Sequence, residues 1–281
     1  MALGTIADSE KKMAKRGWLG LIVLLVLAVG CTLLKPPAGT SVHLMLGNPS
    51  KAIPSTGASD NYLMEKPQYA LSYNSQKGRA NWVSWQLNRD WLGAVPRRND
   101  FRPDFTLPED WYRVTPVDYI NTGFDRGHLT PSADRTATPI DNSATFLMTN
   151  IMPQAPDNNQ GPWEELESYC RDLVKQRKEL YIIAGGYGRK KLIAGDRVEV
   201  PARTWKIIVV LDRPGLGVDA ITNATRVIAV DIPNNQGIRE RNWRSFRVSV
   251  DQLETATGYD FLSNVSTEIQ RALESRIDQA E

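Results

Sequence analysis

The stretch DRGHLTPSAD, residues 125–134, holds one of only two histidines in a chain of 281 residues. With an ordinary pKa near 6.5, His128 is the natural proton acceptor at neutral pH. Gly127 before it permits a close backbone approach, and the planar guanidinium of Arg126 fits phosphate oxygens. A base beside a phosphate-binding group predicts activation of water against phosphorus. On these residues alone, a solvated loop histidine next to a surface arginine is the simpler interpretation.

A second segment, TNIMPQAPDNNQGPWEELE (149–167), is rich in oxygen ligands. Its carboxamides and carboxylates lie between a predicted strand and a predicted helix: Asn150, Gln154, Asp157, Asn158, Asn159 and Gln160. Helix capping explains part of this density, because Asn and Asp are favoured N-caps. It does not explain why Asn159, Trp163 and Glu167 follow one another at intervals of four, on one helical stripe. An oxygen ligand with a carboxylate behind it is suited to hold a hydrated Mg²⁺.

The clearest helix is predicted over residues 161–178. Pro162 suits its first turn, and acidic residues at its start and basic residues at its end suit the helix dipole. Its buried stripe is predicted from apolar residues at helical spacing: Trp163, Leu166, Cys170, Leu173 and Val174. A shorter helix is predicted from about residue 265 to the C-terminus.

Strand signals cover much of the remaining chain. Residues 69–74 and 80–88 flank SQKGR, which predicts a hairpin with a glycine turn. Several later segments are apolar without clean alternation, which predicts central strands of a sheet covered on both faces. These later strands are predicted over 145–150, 180–186, 204–212, 226–233 and 246–253. Strands and helices together indicate a mixed α+β domain.

Composition restricts the chemistry. The 34 basic and 32 acidic residues nearly cancel, so any basic groove must be local. The chain has two cysteines, Cys31 and Cys170, which argue against a disulfide framework and against a structural zinc site with four soft or imidazole ligands. A bound metal is therefore expected to be a hard cation held by oxygens, Mg²⁺ or Mn²⁺.

The N-terminus predicts export. A basic stretch precedes an uncharged apolar run, so residues 1–34 are interpreted as a signal peptide or as a membrane or lipid anchor, with Cys31 in a lipoprotein-like LAVGC site. Each version places the remainder outside the cytoplasm, secreted or periplasmic, with the membrane contacted only through this segment. Residues 35–60, rich in Pro, Gly and Ser, are predicted to be a linker and entry arm, and residues 61–281 the catalytic domain.

Together, DRGH and NNQGPWEELE resemble the motifs of the DNA/RNA non-specific endonucleases, which are ββα-metal or His-Me finger nucleases. The family includes mitochondrial endonuclease G and secreted bacterial sugar-non-specific nucleases. The segments NYLMEKPQYALSYN, PSADRT and GYDFLSNVS are especially similar to the secreted nucleases of filamentous cyanobacteria. The resemblance extends over about residues 41–266. It implies a mainly antiparallel central sheet flanked by helices, with a ββα-metal active-site motif.

The resemblance implies roles for matching residues. His128 matches the base that takes a proton from the attacking water. Asn159 matches the sole direct protein ligand of the catalytic Mg²⁺ or Mn²⁺, and Glu167 matches the carboxylate that holds water of this metal. Arg126 and Arg171 match arginines near the phosphate and the metal waters.

Two further positions follow from the same resemblance. The family has an arginine upstream of FRPD that stabilises the transition state. Arg97 and Arg98 both stand there, and distance to FRPD favours Arg97. Asp125 matches a residue that supports the motif structurally.

The implied activity is hydrolysis of phosphodiester bonds in DNA and RNA, single- or double-stranded, leaving 5′-phosphate ends. Phosphate contacts carry no base identity, which agrees with low sequence specificity. Two alternatives remain: an inactive nucleic-acid-binding or uptake protein, which would not need His128, and a phosphodiesterase for small substrates, which a closed pocket would favour. A protein inhibitor is an expected partner, and the oligomeric state is left open. Four further arginines in RERNWRSFR (239–247) suit either backbone contacts or a solvated face.

Overall fold

A computed structural model describes residues 41–280 of the chain. The predicted signal or anchor segment, including Cys31, lies outside the described residues. Within residues 41–280, no helix is long and apolar enough to cross a membrane. The predicted boundaries of linker and domain stay predictions.

Strands dominate the described part of the chain. They are β1 (Tyr62–Lys66), β2 (Tyr69–Asn74), β3 (Arg79–Leu87), β4 (Asp125–His128), β5 (Ile151–Gln154), β6 (Glu179–Ile193), β7 (Val198–Leu211), β8 (Arg226–Pro233) and β9 (Arg247–Val248). The α-helices are α1 (Pro139–Ala144), α2 (Pro156–Asn159), α3 (Pro162–Lys175), α4 (Val250–Thr257) and α5 (Thr267–Glu274).

Seven strands form one antiparallel sheet in the order β1-β2-β3-β6-β7-β8-β9. Successive residues of β6 enter two different hydrophobic clusters, because neighbouring side chains on a strand point to opposite faces. Ile182 packs with Trp163 and Leu166 of α3. Ile183 packs with residues from the C-terminal helices. The sheet is thus covered on both faces, which confirms the prediction of buried central strands.

Strands β4 and β5 stand apart from this sheet as an antiparallel pair, with His128 opposite Ile151 and Asp125 opposite Gln154. Helices α2 and α3 follow β5 directly. This β4-β5-α3 unit is the predicted ββα motif, and the mixed α+β fold with a mainly antiparallel sheet is confirmed.

The strand predicted over residues 145–150 is wrong. The segment forms a turn and a short 3₁₀ helix, and β5 begins only at Ile151. The side chain of Asn150 explains the turn: its amide donates to the carbonyls of Thr130 and Thr145, and its Oδ1 accepts from Thr130 N. A carboxamide that bonds to nearby backbone competes with strand pairing.

The strand predicted over residues 246–253 is also wrong beyond its first residues. Only Arg247 and Val248 pair as β9, and α4 begins at Val250. Ser249 accepts from Gln252 N while the Gln252 side chain accepts from Ser249 N. This capping box starts a helix despite strand-like composition.

His43 lies in the region predicted to be an entry arm and has a structural position. Its Nε2 lies 2.9 Å from the Pro67 carbonyl, and its Nδ1 accepts from Gln86 N at 3.2 Å. These partners suit a neutral ring with the proton on Nε2. Burial and the nearby charge of Arg135 lower the pKa of His43 to about 4.

We expect part of the acid sensitivity of the fold to come from His43. Because folding lowers this pKa from 6.5 to about 4, the unfolded chain binds the proton first as the pH falls. The stabilisation from the neutral ring is therefore complete above pH 6.5 and is lost progressively toward pH 4. Between these limits, the free energy of unfolding of His43→Gln should fall less than that of wild type, by on the order of 2 kcal/mol. Urea unfolding at each pH measures it.

His128 is present in both proteins, so the difference between their pH profiles isolates His43. Parallel profiles for wild type and His43→Gln would contradict this account.

Candidate active site

The imidazole of His128 lies at the end of β4 and is 8% exposed. Phe101 and Phe146 contact its ring, with centroid distances of 5.3 and 4.9 Å. Its Nε2 is buried and has no hydrogen-bond partner among residues 41–280. Aromatic packing, rather than a hydrogen bond to Nε2, holds the ring in place.

The backbone beside His128 needs a glycine. A Cβ atom on Gly127 would lie 2.9 Å from the Cβ of Gln154 on the paired strand. Real Cβ atoms do not approach so closely, so a larger residue would push β4 away from β5. Gly127 therefore allows the tight β4-β5 pairing that carries His128.

His128 opens onto a cavity of about 570 Å³. Residues from β4, α2, α3 and four connecting segments line it: Arg97, Arg126, His128, Pro131, Ser132, Ala133, Asn159, Gln160, Glu164, Glu167, Arg171 and Arg239. The structure thus brings together six of the eight site residues predicted from the sequence. Asp125 does not line the cavity but accepts hydrogen bonds from Asn159 and Gln160. Arg98 lines a different cavity.

Asn159 is oriented by Asp125. Its Nδ2 donates to Asp125 Oδ2 at 2.8 Å, and the Nε2 of Gln160 donates to the same oxygen at 2.7 Å. Because the amide nitrogen of Asn159 is engaged, its carbonyl oxygen is left as the available ligand atom. Asp125 thereby sets which end of the carboxamide can meet a cation.

Glu167 is held by a buried lysine. Lys206 of β7, whose side chain is 1% exposed, contacts Glu167 Oε1 at 3.3 Å. The ammonium lies 4.0 Å from the ring centroid of Trp163 and 5.7 Å from that of Trp85, so aromatic faces help to stabilise its charge. Burial nevertheless raises the pKa of Glu167 to about 7. Burial thus outweighs the contact with Lys206, so a further cation nearby would stabilise the ionised carboxylate.

Four arginines line the cavity, and three of them, Arg97, Arg126 and Arg171, lie beside the residues predicted from the motifs. Arg97 donates to Ser132 Oγ at 2.9 Å, and its guanidinium lies over Phe146. The Arg126 guanidinium lies 4.4 Å from the ring centroid of Phe101. Arg171 pairs with the buried Asp134 at 3.2 Å. Two of the three, Arg97 and Arg126, have no carboxylate within ion-pair distance in the described part of the chain. An anion such as phosphate could therefore form ion pairs with Arg97 and Arg126.

The arginines also influence the protonation state of His128. Burial, followed by the charges of Arg97 and Arg126, lowers the pKa of His128 to about 3. The imidazole is therefore neutral at physiological pH, which is the state that a proton acceptor requires.

The structure distinguishes the two adjacent arginines. Arg97 lines the cavity with His128. Arg98 lines a different cavity of about 780 Å³ beside β1, and its backbone N–H donates to Asn142 Oδ1. That cavity is larger but contains no histidine, so we place the site at the smaller one.

Sequence reasoning did not assign several residues of the site. Arg239 was left open and lies at the cavity, where it donates to Asp157 Oδ1 at 3.0 Å and to Gln160 Oε1 at 3.1 Å. Its place in a run of arginines was the only signal. Ser132 and Lys206 gave none, because their contribution depends on contacts between segments distant in sequence.

A histidine on the first strand of a ββα unit, facing a carboxamide at the start of the helical part, defines a ββα-metal nuclease fold. The DNA/RNA non-specific endonuclease family matches residues 47–268, and the chain belongs to this family. The resemblance predicted from the two motifs is confirmed.

Similar proteins agree with this assignment. A protein named "Nuclease" from Nostoc sp. (strain PCC 7120) is 57% identical over 93% of this chain and 98% of its own length. Human mitochondrial endonuclease G is 29% identical over 72% of this chain and 70% of its own length. A solved chain from a crystal structure of the EndoG/EndoGI complex has a TM-score of 0.66 at 23% identity, covering 82% of this chain and 94% of its own. This last likeness shows the fold.

We expect the imidazole of His128 in the metal-free protein to remain neutral down to about pH 5, since its pKa is lowered to about 3. Arg97→Ala should raise this pKa because it removes a nearby positive charge, whereas Arg98→Ala should not. NMR of protein with ¹⁵N-labelled histidine checks this, and the chain has only two histidines to assign.

A His128 ring that titrates near pH 6.5 in wild type would contradict the burial and the two charges. Equal shifts in Arg97→Ala and Arg98→Ala would contradict the assignment of Arg97 to the site.

Proposed function

We propose that this DNA/RNA non-specific endonuclease works with Mg²⁺ or Mn²⁺ and divides the reaction among the residues of its cavity. The observation that carries the proposal is the convergence of His128, Asn159 and Glu167 on one arginine-lined cavity. An inactive binding protein would not need this combination of a neutral base and cation ligands.

The donor atoms of the cavity fit a hard divalent cation. Asn159 offers a carbonyl oxygen whose direction is set by Asp125. Glu167 offers a carboxylate that Lys206 neutralises only in part. Oxygen donors of this kind, with few protein ligands and several waters, are typical of Mg²⁺ and Mn²⁺ sites. When bound, such a cation supplies Lewis-acid stabilisation of charge on the phosphate and the leaving oxygen.

His128 acts as the general base in this proposal. Its neutral imidazole accepts a proton from the water that attacks the scissile phosphorus. Phe101 and Phe146 keep the ring oriented and exclude water from its faces. Proton acceptance becomes easier when a polyanion is bound, because phosphate offsets the charges of Arg97 and Arg126 that disfavour the imidazolium.

Arg97 and Arg126 stabilise the negative charge that develops on phosphorus oxygens in the transition state. Both are fixed by aromatic faces, and fixed cations need little reorganisation during the reaction. Arg171 is held by Asp134 and lines the same cavity as Glu167. As water adds to phosphorus opposite the 3′ oxygen, the bond from phosphorus to that oxygen breaks and the 3′ oxygen takes up a proton from solvent. The phosphate therefore remains on the 5′ end.

Phosphate contacts explain the lack of sequence specificity. Arginines line the cavity, and phosphate and sugar contacts position nucleic acid without reading its bases. Activity is expected to fall as salt rises. The apolar run preceding residue 35 supports export of the enzyme, free or anchored. A protein inhibitor is a proposed partner, and endonuclease G of similar fold has been solved with EndoGI.

We expect His128→Ala to cleave plasmid DNA and total RNA about 10²- to 10⁴-fold more slowly than wild type, because the general base is lost. Both proteins are assayed with Mg²⁺, with and without a chelator, and chelator should abolish wild-type cleavage. His43→Gln is the control, since it changes the other histidine and leaves the cavity intact.

If wild type cleaved neither polymer, the nuclease proposal would fail. If His128→Ala cleaved as fast as wild type, the assignment of the base would fail. If chelator did not affect cleavage by wild type, the proposed requirement for a divalent cation would fail.

A further inference from the structure

Three carboxylates converge where α4 meets α5. Asp251 and Glu254 are one turn apart on α4, and Glu274 is the last residue of α5. One oxygen of each lies within 4.8 Å of those of the other two. None of the three lines the cavity of His128.

This acidic cluster, Asp251, Glu254 and Glu274, lacks a counter-charge. Within residues 41–280, no lysine, arginine or histidine lies within ion-pair distance of its carboxylates. Asp260 adds a fourth negative charge nearby, and burial together with these neighbours raises the pKa of Glu274 to about 8. Among the described residues, no positive side chain therefore balances the negative charge of the cluster.

Glu274 supplies a second, independent observation. Its residue is 7% exposed, and its Oε1 is buried without accepting a hydrogen bond from any residue between 41 and 280. Buried polar atoms in proteins almost always have a partner, and an unpaired buried carboxylate oxygen is costly. This oxygen belongs to the carboxylate that Glu274 contributes to the cluster, so a cation held by the three carboxylates would supply the missing partner.

We propose that the acidic cluster binds Ca²⁺. Ca²⁺ takes six to eight oxygen ligands at about 2.3–2.6 Å, so its opposite ligands are about 4.6–5.2 Å apart. Three oxygens within 4.8 Å of one another are close enough to share one such ion. Mg²⁺ needs near-regular octahedral geometry and keeps most of its waters, whereas Ca²⁺ accepts several carboxylates in irregular geometry, which favours Ca²⁺ for three side chains from two helices.

The bound ion joins the two C-terminal helices. Leu253 of α4 and Leu273 of α5 belong to the same hydrophobic cluster, together with Phe261 of the connecting turn. Glu254 also accepts from Phe261 N at 2.8 Å. Ca²⁺ would therefore stabilise the packing of both helices on the face of the sheet opposite α3. The acidic cluster shares no residue with the lining of the His128 cavity.

The test is thermal unfolding with added CaCl₂ at pH 8, in an Asn159→Ala background that removes the proposed ligand at the catalytic cavity. Ca²⁺ at about 10 mM should raise the melting temperature of this parent by about 5 °C. Adding Glu274→Gln should reduce the rise by more than half, because the buried carboxylate is lost. Without Ca²⁺, Glu274→Gln should melt no lower than the parent, since it removes an uncompensated buried charge.

Glu268→Gln is the matched control, because it makes the same change at an exposed position on α5. It should keep the full response to Ca²⁺. Titration calorimetry of the parent should give one Ca²⁺ per chain, and binding to Glu274→Gln should be much weaker. No response to Ca²⁺ in the parent, or equal responses in Glu274→Gln and Glu268→Gln, would overturn the proposal.

Discussion

The site depends on one carboxylate that joins a strand to a helical segment. Asp125, the first residue of β4, accepts hydrogen bonds from the side-chain amides of Asn159 and Gln160. The strand that begins at Asp125 ends at His128. The segment that ends at Asn159 leads into the helix that carries Glu167. One interaction thus links the segments that carry His128, Asn159 and Glu167.

Near this hydrogen bond, aromatic rings pack against the imidazole of His128 and against two arginine side chains of the cavity. Phe101 and Phe146 support both the imidazole of His128 and the guanidinium groups of Arg126 and Arg97. The same positive charges that keep His128 neutral also attract phosphate. In the absence of substrate the cavity is therefore unfavourable for a protonated histidine. A polyanion changes this balance toward proton acceptance, so substrate binding and base strength are coupled.

The sequence was informative where one segment contains its own signal. The helix near residues 161–178, the strand over residues 226–233 and the two catalytic motifs could be predicted, because periodicity and spacing are local. Residues 145–150 and 246–253 were assigned wrongly, since an Asn150 side chain and a Ser249 capping box outweighed strand composition. Lys206 could not be predicted from sequence, because only the pairing of β7 within the sheet brings a buried ammonium to Glu167.

Cleavage rate measured against Mg²⁺ concentration tests most directly whether Asp125 presents the carbonyl of Asn159 to a cation. Asp125→Ala should need about 10- to 100-fold more Mg²⁺ for half-maximal rate, as expected when a residue that orients a metal ligand is removed. Asp125→Asn, which retains an acceptor oxygen, should lose less. Asp125→Ala with the Mg²⁺ dependence of wild type would contradict the account.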